Sequence, residues 1–332
     1  MDSLTQIVLG AAVAETVLGK KIGNKAMLYG AIAGTIPDLD VIASFFTDTV
    51  TALEIHRGFT HSIFFSVFFA PVFAFIVTKY ETYKNFKSWT LLFFWVFITH
   101  PILDSQTTWG TQLFWPFDIR LAFKNIFVVD PLYTIPFLLF LILVMRQKKA
   151  TVKRRYYNNL GLVVSSLYLV LTLILKGVSY HKFTRELEEQ GINYKTIKTK
   201  PTPLNTILWT ANVETEKSYL IGNSSFLDQH PVQFSEYPKN HYLLGDIKKH
   251  PKTKRMIAIS KGWFTINTKN NILYFNDLRF GVLSMKPNAT NFVFKYKIEV
   301  DAKGTPFFIE EPKEKNDGKK LLLDLWTRIK GN

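Results

Sequence analysis

The sequence predicts an α-helical polytopic membrane domain of about six spans, followed by a C-terminal β-rich soluble domain. Three observations carry this reading. Residues 1–180 hold six apolar runs and only ten acidic and sixteen basic residues, whereas residues 181–332 hold sixteen acidic and twenty-five basic ones. Basic residues of the first part gather in alternate short loops. Beyond Pro201 the texture becomes short aromatic and β-branched runs punctuated by Asn, Asp and Pro. The division therefore falls near residue 180, with a membrane-embedded domain over 1–180 and a soluble domain with a helical lead-in over 181–332.

The apolar runs lie at roughly 4–18, 26–46, 62–78, 88–106, 126–145 and 160–178. A spanning helix needs about 20 apolar residues. Four runs meet that length. The first is short, either crossing or re-entering, and the second carries Asp38 and Asp40 near its end. Both are rich in small residues (Gly10, Ala11, Ala12, Ala14; Gly30, Ala31, Ala33, Gly34), which let helices approach closely in lipid. The phenylalanines of the third run (Phe64, Phe65, Phe68, Phe69, Phe73, Phe75) read as lipid-facing, and Trp89, Trp95, Trp109 and Trp115 as an interfacial belt.

Orientation follows from the basic residues. The loops after runs one, three and five hold Lys20, Lys21, Lys25, then Lys79, Lys84, Lys87, then Arg146, Lys148, Lys149, Lys153, Arg154 and Arg155. The intervening loops hold only Arg57, Arg120 and Lys124. Twelve against three assigns the first set to the cytoplasm. The N-terminus and the C-terminal domain are then expected on the opposite, outer side of the membrane. The net charge of +15 also invites a nucleic-acid reading. Six of those charges form one juxtamembrane run between Arg146 and Arg155, the ordinary source of such an excess, so no nucleic-acid partner is expected. The chain has no cysteine, which excludes disulfides and thiolate ligands. Met1-Asp2-Ser3 lacks the positive charge of a cleavable signal.

Ionisable groups at membrane depth are expensive and are functional candidates by default. Asp2, Asp38, Asp40, His56, His61, His100 and Asp104 all fall at the outer end of a run or in the first outer loop. That placement was fixed by lysines and arginines alone, so two independent cues agree. His100 and Asp104 are four apart and share a helix face. His56 and His61 bracket Gly58, and Asp38-Leu39-Asp40 follows Pro37 at a helix exit. Imidazole with carboxylate suits Zn²⁺ first, then Mn²⁺ or Fe²⁺. His56, His61, His100, Asp104, Asp40 and Asp2 are the expected metal ligands, more than one tetrahedral ion uses, so two ions or an outer shell is implied. Arg57 is placed to clamp an anionic phosphate, and Asp38 or Asp40 to act as general base. Asp130, before Pro131, is a candidate outer-shell partner, while Glu15 lies toward the cytoplasmic end and is left out.

In order along the chain, Met1-Asp2-Ser3-Leu4-Thr5-Gln6 with Gly10, Pro37-Asp38-Leu39-Asp40, His56-Arg57-Gly58-Phe59-Thr60-His61-Ser62, His100 with Asp104, and Thr108, Gly110, Leu113, Pro116 and Phe117 resemble the bacterial membrane-bound metal-dependent hydrolases. That family is also labelled as LexA-binding, inner-membrane-associated hydrolases. The motifs cover roughly residues 1–145 and are specific in combination. The resemblance implies an inner-membrane hydrolase with His and Asp ligands at the matching positions, distantly similar to zinc-dependent phospholipases and nucleases. Members often carry His where this chain has Gln6, a poor zinc ligand, so a ligand is missing or is supplied by Asp2.

In the second part, strands are expected at Thr206–Trp209, Ser218–Ile221, Met256–Ile259, Trp263–Ile266, Ile272–Phe275 and Phe292–Ile298, forming a small antiparallel domain. Asp277–Gly281 is a candidate hairpin end, and residues 311–320, dense in Lys and Glu, a solvated surface segment. The functional expectation is metal-dependent hydrolysis of a phosphate ester at the outer leaflet, on a phospholipid or lipid-linked phosphate. Two alternatives come from other classes. An ion- or proton-coupled transporter requires polar residues continuing to the cytoplasmic face. A non-catalytic adaptor that binds partners through its β domain predicts that His56→Ala and His100→Ala leave function intact.

Overall fold

A computed structural model of the chain describes residues 1–312 and 318–332. The chain divides into two compact units, one of residues 1–43, 55–174 and 203–205, the other of residues 44–54, 175–202 and 206–332.

The first unit is helical. α1 (Ser3–Ile22) starts at Asp2, whose carboxylate accepts from the Thr5 amide, and ends in Lys20 and Lys21, which favour the negative end of the helix dipole. Gly23 at φ +63° turns the chain into α2 (Asn24–Thr35), which runs into a 3₁₀ stretch over Pro37–Phe45. After α3 (Thr49–Ile55), all but its last residue in the second unit, and a short 3₁₀ turn at Phe59–His61, Ser62 caps α4 (Ile63–Tyr80) and Asn85 caps α5 (Phe86–Asp104). Asp130 and Pro131 open α6 (Pro131–Met145), where a proline at the first position wastes no donor. α7 runs from Val152 to Glu189 without interruption, so the expected polar lead-in is the continuation of a membrane-length helix.

Among the described residues, four helical stretches are long and apolar enough to cross a membrane: Asn24–Phe45, Ile63–Tyr80, Phe86–Asp104 and Val152–Glu189. α6 is apolar but has 15 residues. α1 and α2 form the tightest seam. A Cβ on Gly10 would lie 2.3 Å from the Gly30 carbonyl oxygen, and one on Gly34 would lie 2.6 Å from that of Gln6. Not all the aromatic residues face outward. Trp89 is fully buried, donating from Nε1 to the Tyr83 carbonyl at 2.8 Å, and Phe65 packs on Phe69 and Phe97. A run of phenylalanines has no apolar period to tell its protein face from its lipid face: Phe64, Phe68 and Phe75 are exposed as expected, whereas Phe65 is buried.

The described residues of the second unit form two four-stranded antiparallel sheets. The first is β1 (Thr196–Pro201), β2 (Leu208–Glu214), β3 (Ser218–Ser225) and β4 (Phe234–Pro238), paired in that order. The second is β5 (Phe264–Lys269), β6 (Ile272–Val282), β7 (Phe292–Val300) and β8 (Pro306–Glu310), likewise in chain order. Met256–Ile259 is not a strand but the end of α8 (Pro251–Ile259), started by Pro251 and by His250, whose ring accepts from the Lys252 amide. The β5–β6 hairpin turns at Asn270-Asn271, both at positive φ as a two-residue turn demands. Asp277–Gly281 lies inside β6 instead, where the ladder slips between Asp277 and Val282 and Asp277 chelates the Arg279 guanidinium. Val50 and Leu53 of α3 join a core with Leu244, Met256, Phe264 and Phe275. Of the expected surface segment 311–320, residues 313–317 lie outside the described residues, and Gly318 begins α9 (Gly318–Ile329).

Lys200 is buried and donates to the Arg279 carbonyl at 2.6 Å. Burial pushes its ammonium down to about 7, against the pull of Asp277. Between about 7 and the unperturbed 10.5 the unfolded chain binds a proton that the folded chain releases, so folding gains stability as pH rises through that window. Relative to Lys200→Met, the wild type should therefore gain stability steadily from pH 7 to pH 10 in urea unfolding monitored by tryptophan fluorescence. A pH-independent difference would contradict it.

Candidate metal centre

Four side chains from three separate chain segments meet at one end of the helical unit. Asp38 comes from the 3₁₀ stretch after α2, His61 from the turn before α4, and His100 and Asp104 from the last turns of α5. One ligand atom from each lies within 4.8 Å of the others. His61 Nε2 is 3.2 Å from His100 Nε2, 3.4 Å from Asp38 Oδ1 and 3.4 Å from Asp104 Oδ2. His100 Nε2 is 3.5 Å from Asp38 Oδ1 and 3.9 Å from Asp104 Oδ2. A tetrahedral ion with arms of about 2.1 Å has ligand–ligand edges of about 3.4 Å. The donor set and its spacing fit one divalent cation.

The outward side of each ring is held. His100 Nδ1 donates to the Gly34 carbonyl at 2.7 Å, which leaves Nε2 as the lone-pair nitrogen facing the cluster. Gly34 sits at the α1–α2 seam, at the end of the Gly30-Ala31-Ile32-Ala33-Gly34 small-residue repeat, so helix packing places that carbonyl. His61 Nδ1 lies 3.4 Å from Asp40 Oδ2 and 3.1 Å from Thr60 Oγ1. Burial opposes a charge on His61, but Asp104, Asp38 and Asp40 outweigh it and raise the ring to about 9. A site with so much buried negative charge favours a cation.

The remaining expected residues separate into roles. Asp40 stays outside the cluster: it accepts from the Arg57 amide at 2.7 Å, Thr60 Oγ1 at 3.3 Å and the His56 ring at 3.0 Å. It thereby fixes the Arg57–His61 turn, in which Arg57 adopts φ +57°. His56, expected as a ligand, packs beside Trp109 instead. Asp2 is also apart from the cluster, because its carboxylate is engaged by the Thr5 amide at 3.1 Å and hydroxyl at 2.5 Å. Arg57, expected to clamp a phosphate, is buried, with Nε 2.9 Å from Asp104 Oδ2 and Nη1 donating to Thr107 Oγ1 at 2.9 Å. Asp38, expected as the base, is one of the four clustered residues. Asp130 caps α6 and accepts from the Tyr168 hydroxyl.

Sequence reasoning missed the part played by Gln6. Its Nε2 donates to Asp104 Oδ1 at 3.0 Å and to the His100 carbonyl at 3.3 Å. It orients the carboxylate without being one of the clustered groups, and its buried Oε1 has no hydrogen-bond partner among the described residues. Its place in α1, one turn from Gly10, was the available signal.

A family model described as YdjM inner membrane protein matches residues 1–179. The chain is 26% identical over 242 residues to the Bacillus subtilis (strain 168) protein called Uncharacterized protein YfhP, covering 68% of each chain. It is 33% identical over 104 residues to Inner membrane protein YbcI of Escherichia coli (strain K12), covering 30% of this chain and 57% of that one. No solved structure matches. The family match takes in every residue of the clustered site and more than half of the chain, so the protein belongs to the YdjM inner membrane protein family.

Proposed function

We propose that the protein is a metal-dependent hydrolase of the bacterial inner membrane, acting on a phosphate ester such as a phospholipid or lipid-linked phosphate at the outer leaflet. One observation carries the reading: two imidazoles and two carboxylates, with both rings held from behind, spaced for a single divalent cation. The resemblance to metal-dependent hydrolases at the same residues agrees with it.

A divalent cation in that site would supply Lewis acidity, polarising a phosphoryl oxygen and lowering the pKa of water toward about 7. The protein supplies the rest. Asp38 is the one clustered residue with a side chain a quarter exposed, so ester and water reach the site past it. Asp38 Oδ1 faces the two rings, and its other oxygen is the one we assign to take a proton from an attacking water. Arg57, Gln6 and the Gly34 carbonyl hold Asp104 and His100 in position, and Asp40 holds His61. Preorganisation of this kind spares the site reorganisation during the reaction.

The test is to purify the protein in detergent, measure bound metal, and assay phosphodiesters and phospholipids before and after chelation. Hydrolysis should vanish on chelation and return with zinc or manganese. Metal retained at one ion per chain without hydrolysis of any ester would overturn the enzymatic reading and leave the site.

A further inference from the structure

α9 packs on the second unit with one side only. Leu325 and Ile329 are buried against Leu208, with Met285 beside them. The opposite side is apolar as well: Leu322, Leu323 and Trp326 are each more than half exposed. The two leucines precede Trp326 by four and three residues, so all three share one helix face. Lys319 and Lys330 continue that face at its two ends, and Lys330 Nζ stands 5.4 Å from the centre of the Trp326 ring. Asp324, half-buried, is the one carboxylate of the helix. A contiguous exposed apolar patch marks an interaction surface. Leucines and a tryptophan on one face, with basic residues at its edge, are the composition of a helix that lies in a lipid headgroup layer. Three side chains fall well short of the roughly 800 Å² per partner that a stable protein–protein interface buries.

The end of α9 is also held at the matching depth. Lys182 of α7 donates from Nζ to the Ser225 carbonyl at 2.8 Å, and Ser225 Oγ donates to the Ile329 carbonyl at 2.6 Å. Asp228 ties the same turn to α9, its Oδ2 accepting from the Ser225 amide at 2.9 Å and from Arg328 Nη2 at 2.6 Å. Lys182 lies four residues beyond the end of the apolar run 160–178 of α7, about 6 Å of helix rise. The headgroup layer is about 5–8 Å deep on each side of the hydrocarbon core. Two hydrogen bonds therefore connect the last turn of α9 to the level at which α7 leaves the hydrocarbon. Leu227, in the turn that holds α9, is exposed too, and a Cβ on Gly331 would lie 2.5 Å from its carbonyl oxygen.

We propose that α9 docks its Leu322, Leu323 and Trp326 face into the headgroup layer of the membrane that carries the chain, with Lys319 and Lys330 meeting the phosphates of anionic lipids. α9 is then an interfacial helix that lies on the bilayer, and its docking gains from apolar burial and from charge together. The proposal is independent of the metal centre and of the hydrolase reading.

The native chain has no cysteine, so a single introduced one labels uniquely. Full-length Leu323→Cys and Lys303→Cys are each labelled with a nitrobenzoxadiazole fluorophore and reconstituted into vesicles. One set of vesicles is phosphatidylcholine alone, the other phosphatidylcholine and phosphatidylglycerol in equal amounts. Lys303 is the control, exposed in the β7–β8 turn at the other end of the second sheet from Met285. With phosphatidylglycerol present, the dye at position 323 should shift to the blue and lose most of its emission to a lipid carrying a headgroup-level spin label. The dye at position 303 should be quenched by aqueous iodide instead. Adding Lys319→Gln and Lys330→Gln to Leu323→Cys should lower the ratio of lipid-quenched to unquenched dye about fivefold for each lysine removed. Quenching at position 323 by iodide and not by the spin-labelled lipid overturns the proposal. Shielding of that position from both quenchers also overturns it, and gives the face to a protein partner or a second copy of the chain. Equal lipid quenching at positions 323 and 303 removes the assignment to α9.

Discussion

His61→Ala and His100→Ala should each drop the metal content of the purified protein from about one ion per chain to background. Each ring contributes one nitrogen of a four-donor set whose atoms sit 3.2 to 3.9 Å apart across the ring contacts. Three remaining donors, two of them carboxylates, make a weaker and less selective site. Asp40→Asn tests the supporting layer. It keeps the volume of the side chain but loses the charge behind His61 and next to the Arg57 amide, and loss of such a partner typically costs about 10–100-fold in metal affinity. Elemental analysis after dialysis at graded zinc concentrations separates the two levels. Full metal content in both histidine variants would remove the site from these residues altogether.

Gly30→Leu should prevent the protein from accumulating in folded form. A Cβ on Gly30 meets the Gly10 carbonyl oxygen at 2.2 Å and the Ala14 Cβ at 2.4 Å, contacts with backbone and with a short side chain that cannot swing aside. α1 and α2 would have to separate, and forced separation of a packed seam costs about 1–3 kcal/mol or more. In lipid there is little hydrophobic gain between helices to offset the loss, because the seam relies on close van der Waals contact. Gly177 of α7 is the control: a methyl group added there would meet nothing within 4 Å, so Gly177→Ala should be neutral or stabilising by about 0.5–1 kcal/mol. Membrane yield and thermal melting in detergent compare the two. Equal behaviour would show that the seam is not tight.

The location of the centre was readable because ionisable residues sat in the loops that the basic residues left bare. Its membership was not. Asp38 and Asp40 are two residues apart, and only the 3₁₀ path after Pro37 decides that Asp38 joins the cluster while Asp40 turns to His61 and His56. Asp2 looked equivalent to them but is engaged locally, since a carboxylate just ahead of a helix finds free N–H groups within its own turn. Arg57 looked like a substrate clamp because sequence shows charge without showing what already faces it. In the sheets, alternation and turn residues marked most of the strands, whereas the four-residue run Met256–Ile259 carried no period long enough to distinguish strand from helix. The small-residue repeats in α1 and α2 announced close packing, but not that a carbonyl at their junction would steer a histidine.

The membership of residues 44–54 in the second unit has a practical consequence for anyone seeking a smaller version of this protein. Val50 and Leu53 rest in a core whose other walls are Leu244, Met256 and Phe275, far downstream in the chain. A chain cut after α7 would therefore keep the whole family-matched stretch and still strand an apolar patch in the very loop that separates Asp38 from His61. Trimming by family boundary alone would produce a sticky fragment, and any shortened version needs that short excursion replaced by a polar link.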